Sequence, residues 1–80
     1  MQTLKIYTEN KIGVLEKVTT VFTRNRVNIT TLNLRANALK DLSLICVSAD
    51  ISPELALKVI PQLKRIIEVA DAKLKAESKL

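Results

Sequence analysis

An α+β fold of order βαββαβ, with a four-stranded antiparallel sheet and two helices on one of its faces, follows from three features of the sequence. These are a period-two strand at the start, two stretches of helical period with two β-branched or apolar runs between them, and a last strand signal after the second helix. The chain has 80 residues, 48% of them apolar and 26% charged. Such a length supports one small core and leaves no room for a second.

Leu4 to Glu9 alternates Leu4, Ile6 and Thr8 with Lys5, Tyr7 and Glu9, which predicts a first strand with one buried face. From Val14 the period lengthens: Val14, Val18, Val21 and Phe22, with Leu15 beside them, share one helical face, and the spacing predicts a helix to about Asn25. Val27 to Ala36 is β-branched and reads as a second strand whose apolar phase shifts between Ile29 and Leu32, the mark of a bulge. A turn is expected around Asn37 to Asp41. Leu42 to Val47 is almost continuously apolar, so the third strand should be central and covered on both faces.

Ser52-Pro53-Glu54 starts the second helix, since the hydroxyl can cap, proline fits the first helical position and the carboxylate complements the helix dipole. Leu55, Val59 and Leu63 keep one face apolar. Pro61 has no amide hydrogen for the Leu57 carbonyl, which predicts a kink or a break near Ile60. Ile66 to about Leu74 supplies the fourth strand. Two split βαβ halves then make a ferredoxin-like sandwich with the first and third strands at its centre. Helices on one side leave the edge strand and the second sheet face to water or another chain. A homodimer is expected, with a dimer of dimers as the means of hiding the bare face.

Composition removes many function classes. With no histidine and a single cysteine, the chain can form neither an internal disulfide nor a zinc cage nor a His-based triad. Cys46, between Ile45 and Val47, reads as inert core rather than as a nucleophile. No catalytic residue and no cofactor are expected in this chain. There is no apolar run of about 18 residues and no secretory pattern at the start, which predicts a cytoplasmic protein without a membrane partner. The net charge of +5 comes from 13 Lys and Arg against 8 Asp and Glu, spread along the chain with small concentrations at Arg24/Arg26, Lys64/Arg65 and Lys73/Lys75/Lys79. Only Tyr7 and Phe22 are aromatic, too few for a nucleic-acid stacking surface.

The chemistry that remains centres on Glu9-Asn10-Lys11-Ile12-Gly13-Val14-Leu15, between the first strand and the first helix. Gly13, the only glycine, stands where the helix exposes unpaired amide hydrogens, and it permits a close backbone approach. The N–H groups of Gly13, Val14 and Leu15 could hold an α-carboxylate with help from the helix dipole. Asn10 could orient the turn or bind the ligand's amino group. On spacing alone, Asn10 as a turn cap, Gly13 as a relief of a tight connection and Asn28 as a turn residue explain the same pattern.

The run Glu9-Asn10-Lys11-Ile12-Gly13-Val14-Leu15-Glu16-Lys17-Val18, followed by Val21-Phe22-Thr23-Arg24 and Asn28-Ile29-Thr30-Thr31-Leu32, resembles the ACT domain of the regulatory small subunit of acetohydroxyacid (acetolactate) synthase. Gln62 to Val69 is similar to the family's passage from second helix to fourth strand, so the resemblance covers residues 4 to 75. It implies a single ACT domain over residues 1–80 that senses a branched-chain amino acid, valine or isoleucine or leucine, at a dimer interface. The sensor would activate or restrain the thiamine-diphosphate-dependent catalytic large subunit. By matching position, Asn10, Gly13, Val14 and Leu15 of one protomer would hold the amino acid, and Asn28 and Ile29 of the neighbour would complete the pocket.

The chain also departs from the family pattern. Arg26 stands where the family commonly has glycine, which makes Asn25 the expected left-handed residue at the exit of the first helix. Pro61 interrupts the second helix, and the second domain of longer members lies outside these residues. Two other readings compete: an ACT-type sensor acting on another amino-acid enzyme or a transcription regulator, and a nucleic-acid-binding ferredoxin-like module.

Overall fold

In the computed structural model, which describes residues 1–37 and 39–75, the elements follow the expected order. They are β1 (Gln2–Glu9), α1 (Val14–Arg24), β2 (Asn28–Asn37), β3 (Leu42–Asp50), α2 (Pro53–Lys64) and β4 (Val69–Leu74). Ala38 of the expected turn and Lys79 of the basic tail lie outside the described residues. The sheet is antiparallel throughout, in the order β2-β3-β1-β4.

Strand alternation builds the core. Leu4, Ile6 and Thr8 of β1 sit level with Val47, Ile45 and Ser43 of β3, and all six are buried on one face. Against that face α1 lays Val14, Val18, Val21 and Phe22, and α2 lays Ala56, Val59 and Leu63. One helix layer on one sheet accounts for the shortest dimension of 19 Å. The helices stop short of β2, whose residues are all exposed except half-buried Ile29. Leu32 and Leu34, paired with Val47 and Ile45, therefore face the helix side yet remain 38% and 44% exposed.

The predicted bulge is present, because the β2–β3 register shifts between Ile29 and Thr31. Ser52 caps α2 through the Leu55 amide at 3.2 Å, with Pro53 in the first turn. Four expectations need correction. Helix α2 is not broken at Pro61 but continues to Lys64; Pro61 and Leu57 are exposed, so water can serve the carbonyl that loses its partner. Strand β4 starts at Val69 rather than Ile66, since Ile66 and Val69 donate to Leu63 and Ile66 in tight turns that close α2 first. β3 is not covered on both faces: Leu44 and Cys46 point away from the helices and are only half-buried. Cys46 lies beside Lys5 and Asn33 on the open face, outside the core.

The fourth correction concerns the exit of α1. Asn25 is not left-handed (φ −89°); Arg26 is, at φ 56°. The Arg26 amide donates to the Thr23 carbonyl at 3.0 Å and the Val27 amide to Phe22 at 2.9 Å, the paired bonds of a Schellman ending with Arg26 in the place of glycine. Arginine pays a steric penalty there that glycine does not. Arg26→Gly is expected to raise stability by about 1 kcal/mol, read as a higher urea midpoint at unchanged slope. No helix among the described residues is long and apolar enough to cross a membrane.

Candidate functional site

The loop from Asn10 to Gly13 leaves the central strand β1 at the end of the sheet where β2 and β3 meet their hairpin. It is fastened from both sides. The Asn10 amide donates to the Asp41 carbonyl at 3.0 Å, and the Ser43 hydroxyl donates to Asn10 Oδ1 at 3.2 Å. The Asn10 side chain thus braces the turn through Oδ1, and its amide nitrogen, a donor, has no partner among the described residues. Ser43 and Asp41 were not among the residues picked out from the sequence, since only the β1–β3 register brings them next to Asn10.

Gly13 is the N-cap of α1 and adopts φ 89°, ψ −10°. This left-handed conformation suits glycine and turns the chain so that no side chain caps the helix. The Val14 amide reaches the Lys11 carbonyl at 3.4 Å, while the amides of Leu15 and Glu16 have no partner outside the helix among the described residues. They can receive an anion in line with the helix dipole. Val14 is 3% exposed and belongs to the core, and its amide is already taken by Lys11, so the free donors of the turn are those of Leu15 and Glu16 rather than the expected Val14. Leu15 is 37% exposed and Ile12 fully so, giving the uncapped turn an aliphatic rim.

Asn10, Gly13, Val14 and Leu15 are thereby gathered at one place. Asn28 and Ile29 are not with them. Asn28 pairs with Asp50 at one end of the sheet, whereas Asn37 pairs with Leu42 and Leu42 with Glu9 at the other. Ten residues of extended β2 put roughly 30 Å between these ends. Within one protomer, the two groups cannot share a ligand.

Lys17, one turn into α1, holds the far side of this region by two contacts to Glu68 at 2.8 and 3.1 Å. The hydrogen bond from the Lys17 ammonium, and then that from its own backbone amide, lower the Glu68 carboxyl from its ordinary value. A group with a lowered folded-state pKa stabilises the fold above its unfolded value, and the contribution disappears as pH falls through the folded value. The pair ties α1 to the turn before β4 down to moderately acidic pH. In Lys17→Met the Glu68 carboxyl is expected to titrate closer to the ordinary value, measured by carbon-detected NMR; an unchanged titration would remove Lys17 as the cause.

With this geometry in view, comparison with known proteins is decisive for the family. Residues 4–71 match the AHAS small subunit-like ACT domain family. The chain belongs to this family. Among solved structures, the ACT domain superposes on the acetolactate synthase small subunit from Thermotoga maritima with a TM-score of 0.81 at 20% identity, covering 91% of this chain and 45% of that one. It also superposes on the ACT domain of GTP pyrophosphokinase from Chlorobium tepidum, with a TM-score of 0.78 at 17% identity over 92% of this chain and 95% of that one. A homoserine dehydrogenase from Thiobacillus denitrificans gives a TM-score of 0.74 at 16% identity, over 91% of this chain and 16% of that one. At such identities the superpositions establish the fold. No curated protein matches the sequence. This chain spans less than half the length of the Thermotoga protein, and its fold neighbours show ACT domains attached to other enzymes as well.

Proposed function

We propose that this ACT domain is the non-catalytic regulatory small subunit of acetohydroxyacid synthase and binds a branched-chain amino acid between two protomers. The observation that carries this reading is the uncapped, left-handed Gly13 start of α1 with its aliphatic rim, in a chain whose family is that of the synthase's small subunit. Free amides and the helix dipole suit an α-carboxylate, the Asn10 amide nitrogen suits a polar head group, and Leu15 and Ile12 suit a branched side chain.

Edge strand β2 supplies the missing half. It is ten residues long, exposed, and carries neither proline nor lysine, the usual protections against pairing. A two-fold pairing of two such edges, centred on Leu32 and Asn33, is antiparallel. It would bring the partner's Asn28 end level with this protomer's Asn37 end, at the same end of the sheet as the Asn10–Leu15 turn. The separation along the strand is thus removed and about three strand spacings across the sheet are left for α1 and the ligand to bridge, while Leu32 and Leu34 gain cover at the same time. Ligand binding would favour that dimer and be coupled to the catalytic subunit, with a typical coupling of about 1–3 kcal/mol. In this role the chain itself needs no cofactor.

The nucleic-acid reading loses ground on the open face. Its one aromatic, Tyr7, already has the Lys73 ammonium 5.3 Å from its ring centroid, so no base can stack there without displacing it.

Calorimetric titration with valine, isoleucine and leucine, with glycine as the control, tests the proposal. Saturable heat for a branched amino acid and none for glycine is expected, at one site per protomer or one per dimer. Copurification with an enzyme other than the synthase's large subunit would instead assign the domain to a different pathway.

A further inference from the structure

The helix layer contains a second feature, which shares only its Gly13 end with the amino-acid site. A groove of about 620 Å³ runs between the outward face of α1 and the last turn of α2. Both of its ends are tied by side chains. At one end Lys17 grips Glu68. At the other, the side-chain amides of Asn25 and Gln62 bond reciprocally at 2.9 and 3.4 Å, with Asn25 also donating to the Val21 carbonyl at 2.7 Å. The walls of the groove are therefore held in register.

Its lining carries more positive than negative charge. Arg24 and Arg65 both border it, with Glu16 as its one carboxylate, and neither arginine has an ion-pair partner among the described residues, although Lys17 and Lys64 nearby do. Two like charges held on one groove repel each other unless an anion comes between them. Beside them, Ile66 is half-buried and Ile67 is 93% exposed, so the same groove presents aliphatic surface to water. Unpaired guanidinium groups next to an exposed aliphatic anchor have the composition of an interface, with arginine able to take a carboxylate through two parallel bonds.

We infer that this groove docks an acidic, aliphatic segment of the catalytic partner, its carboxylates on Arg24 and Arg65 and its apolar side chains on Ile66 and Ile67. The inference rests on the proposed role as a regulatory subunit and adds the surface by which the partner is held. It leaves β2 free for self-association and the uncapped turn of α1 free for the amino acid. Gly13 borders both the groove and the proposed amino-acid site.

The test measures binding of the wild-type chain and of two variants to the thiamine-diphosphate-dependent large subunit from the same organism. One variant is Arg24→Glu with Arg65→Glu, the other Ile67→Asp. Each is expected to bind at least about thirtyfold more weakly than wild type, as for interface anchors. Wild-type affinity should fall as salt rises. Circular dichroism, protomer mass by sedimentation and the heat of amino-acid binding should stay unchanged, since none of these side chains is buried or lies on β2. Equal affinity of wild type and variants overturns the groove while leaving the regulatory reading intact. A change of oligomeric mass would identify the groove as a contact between copies and overturn the proposal as well. If the wild type binds no large subunit, the parent reading fails and this one fails with it.

Discussion

Phe22→Ala is expected to destabilise the domain by about 3–5 kcal/mol, the usual range for losing a fully buried phenylalanine. Phe22 is 0% exposed and is the largest of the fully buried side chains. A chain of 80 residues is held by roughly 4–12 kcal/mol in total, so this one truncation removes a large part of the margin. The site has little capacity to collapse into the void. Its core companions come from three separate elements, Val18 from α1, Val59 and Leu63 from α2, and Ile45 and Val47 from the sheet. Equilibrium urea unfolding at fixed protein concentration measures the effect, with concentration held constant because association adds to apparent stability. Phe22→Leu, which keeps most of the volume, should lose no more than about 1.5 kcal/mol. A loss below 1 kcal/mol for the alanine variant would mean that the core repacks around α1.

Where local chemistry and tertiary demand agree, the architecture was legible before any coordinates. The Leu4–Ile6–Thr8 alternation, the helical stripe from Val14 to Phe22 and the Ser52-Pro53-Glu54 start each say the same thing at the level of period, cap and burial, and each stands where expected. Boundaries that depend on which element closes first were less legible. Ile66 and Ile67 are as suited to a strand as Val69, but the α2 ending takes Ile66 into a turn and leaves Ile67 in solvent. The missing amide hydrogen of Pro61 and the clash of its ring with the Leu57 carbonyl predict a kink or a break, whereas its exposed position on α2 lets the helix continue. Arg26 shows the same competition at α1. The geometry of the Schellman ending belongs to a position in the chain, and the residue there adopts the left-handed conformation whether or not it is glycine.

The candidate site was legible only in its local half. Asn10, Gly13, Val14 and Leu15 are neighbours in sequence, so a strand-to-helix turn gathers them in any fold of this order. The support of Asn10 by Ser43 and Asp41 needs the β1–β3 register, a long-range pairing with no local signal. In the proposed dimer, Asn28 and Ile29 reach the site only from a second copy of the chain, which no periodicity reports. That is why the edge strand, and not the turn alone, decides whether a complete pocket exists.

Gly13→Asp is expected to abolish amino-acid binding while leaving the fold in place, and the two effects have separate physical origins. A Cβ at Gly13 meets nothing within 4 Å, so the side chain has room, but φ 89° is a conformation that a non-glycine residue holds at a cost of about 1–2 kcal/mol. A domain of this size tolerates that loss. The added carboxylate, however, sits at the uncapped end of α1 and takes the field and the free amides of Leu15 and Glu16 that the ligand's own carboxylate would use. Like charges at one helix terminus should weaken binding by at least about a hundredfold, since the ligand loses an attractive partner and gains a repulsive one. Gly13→Ala separates the causes, because it carries the same backbone strain without charge and should weaken binding less than about tenfold. Gly13→Asn, which accepts the left-handed region more readily, should lie closest to wild type in stability. Calorimetry with the effector amino acid and a urea titration on all three variants give both quantities. If Gly13→Asp binds like wild type, the carboxylate does not rest on α1, and the pocket must lie elsewhere on the dimer.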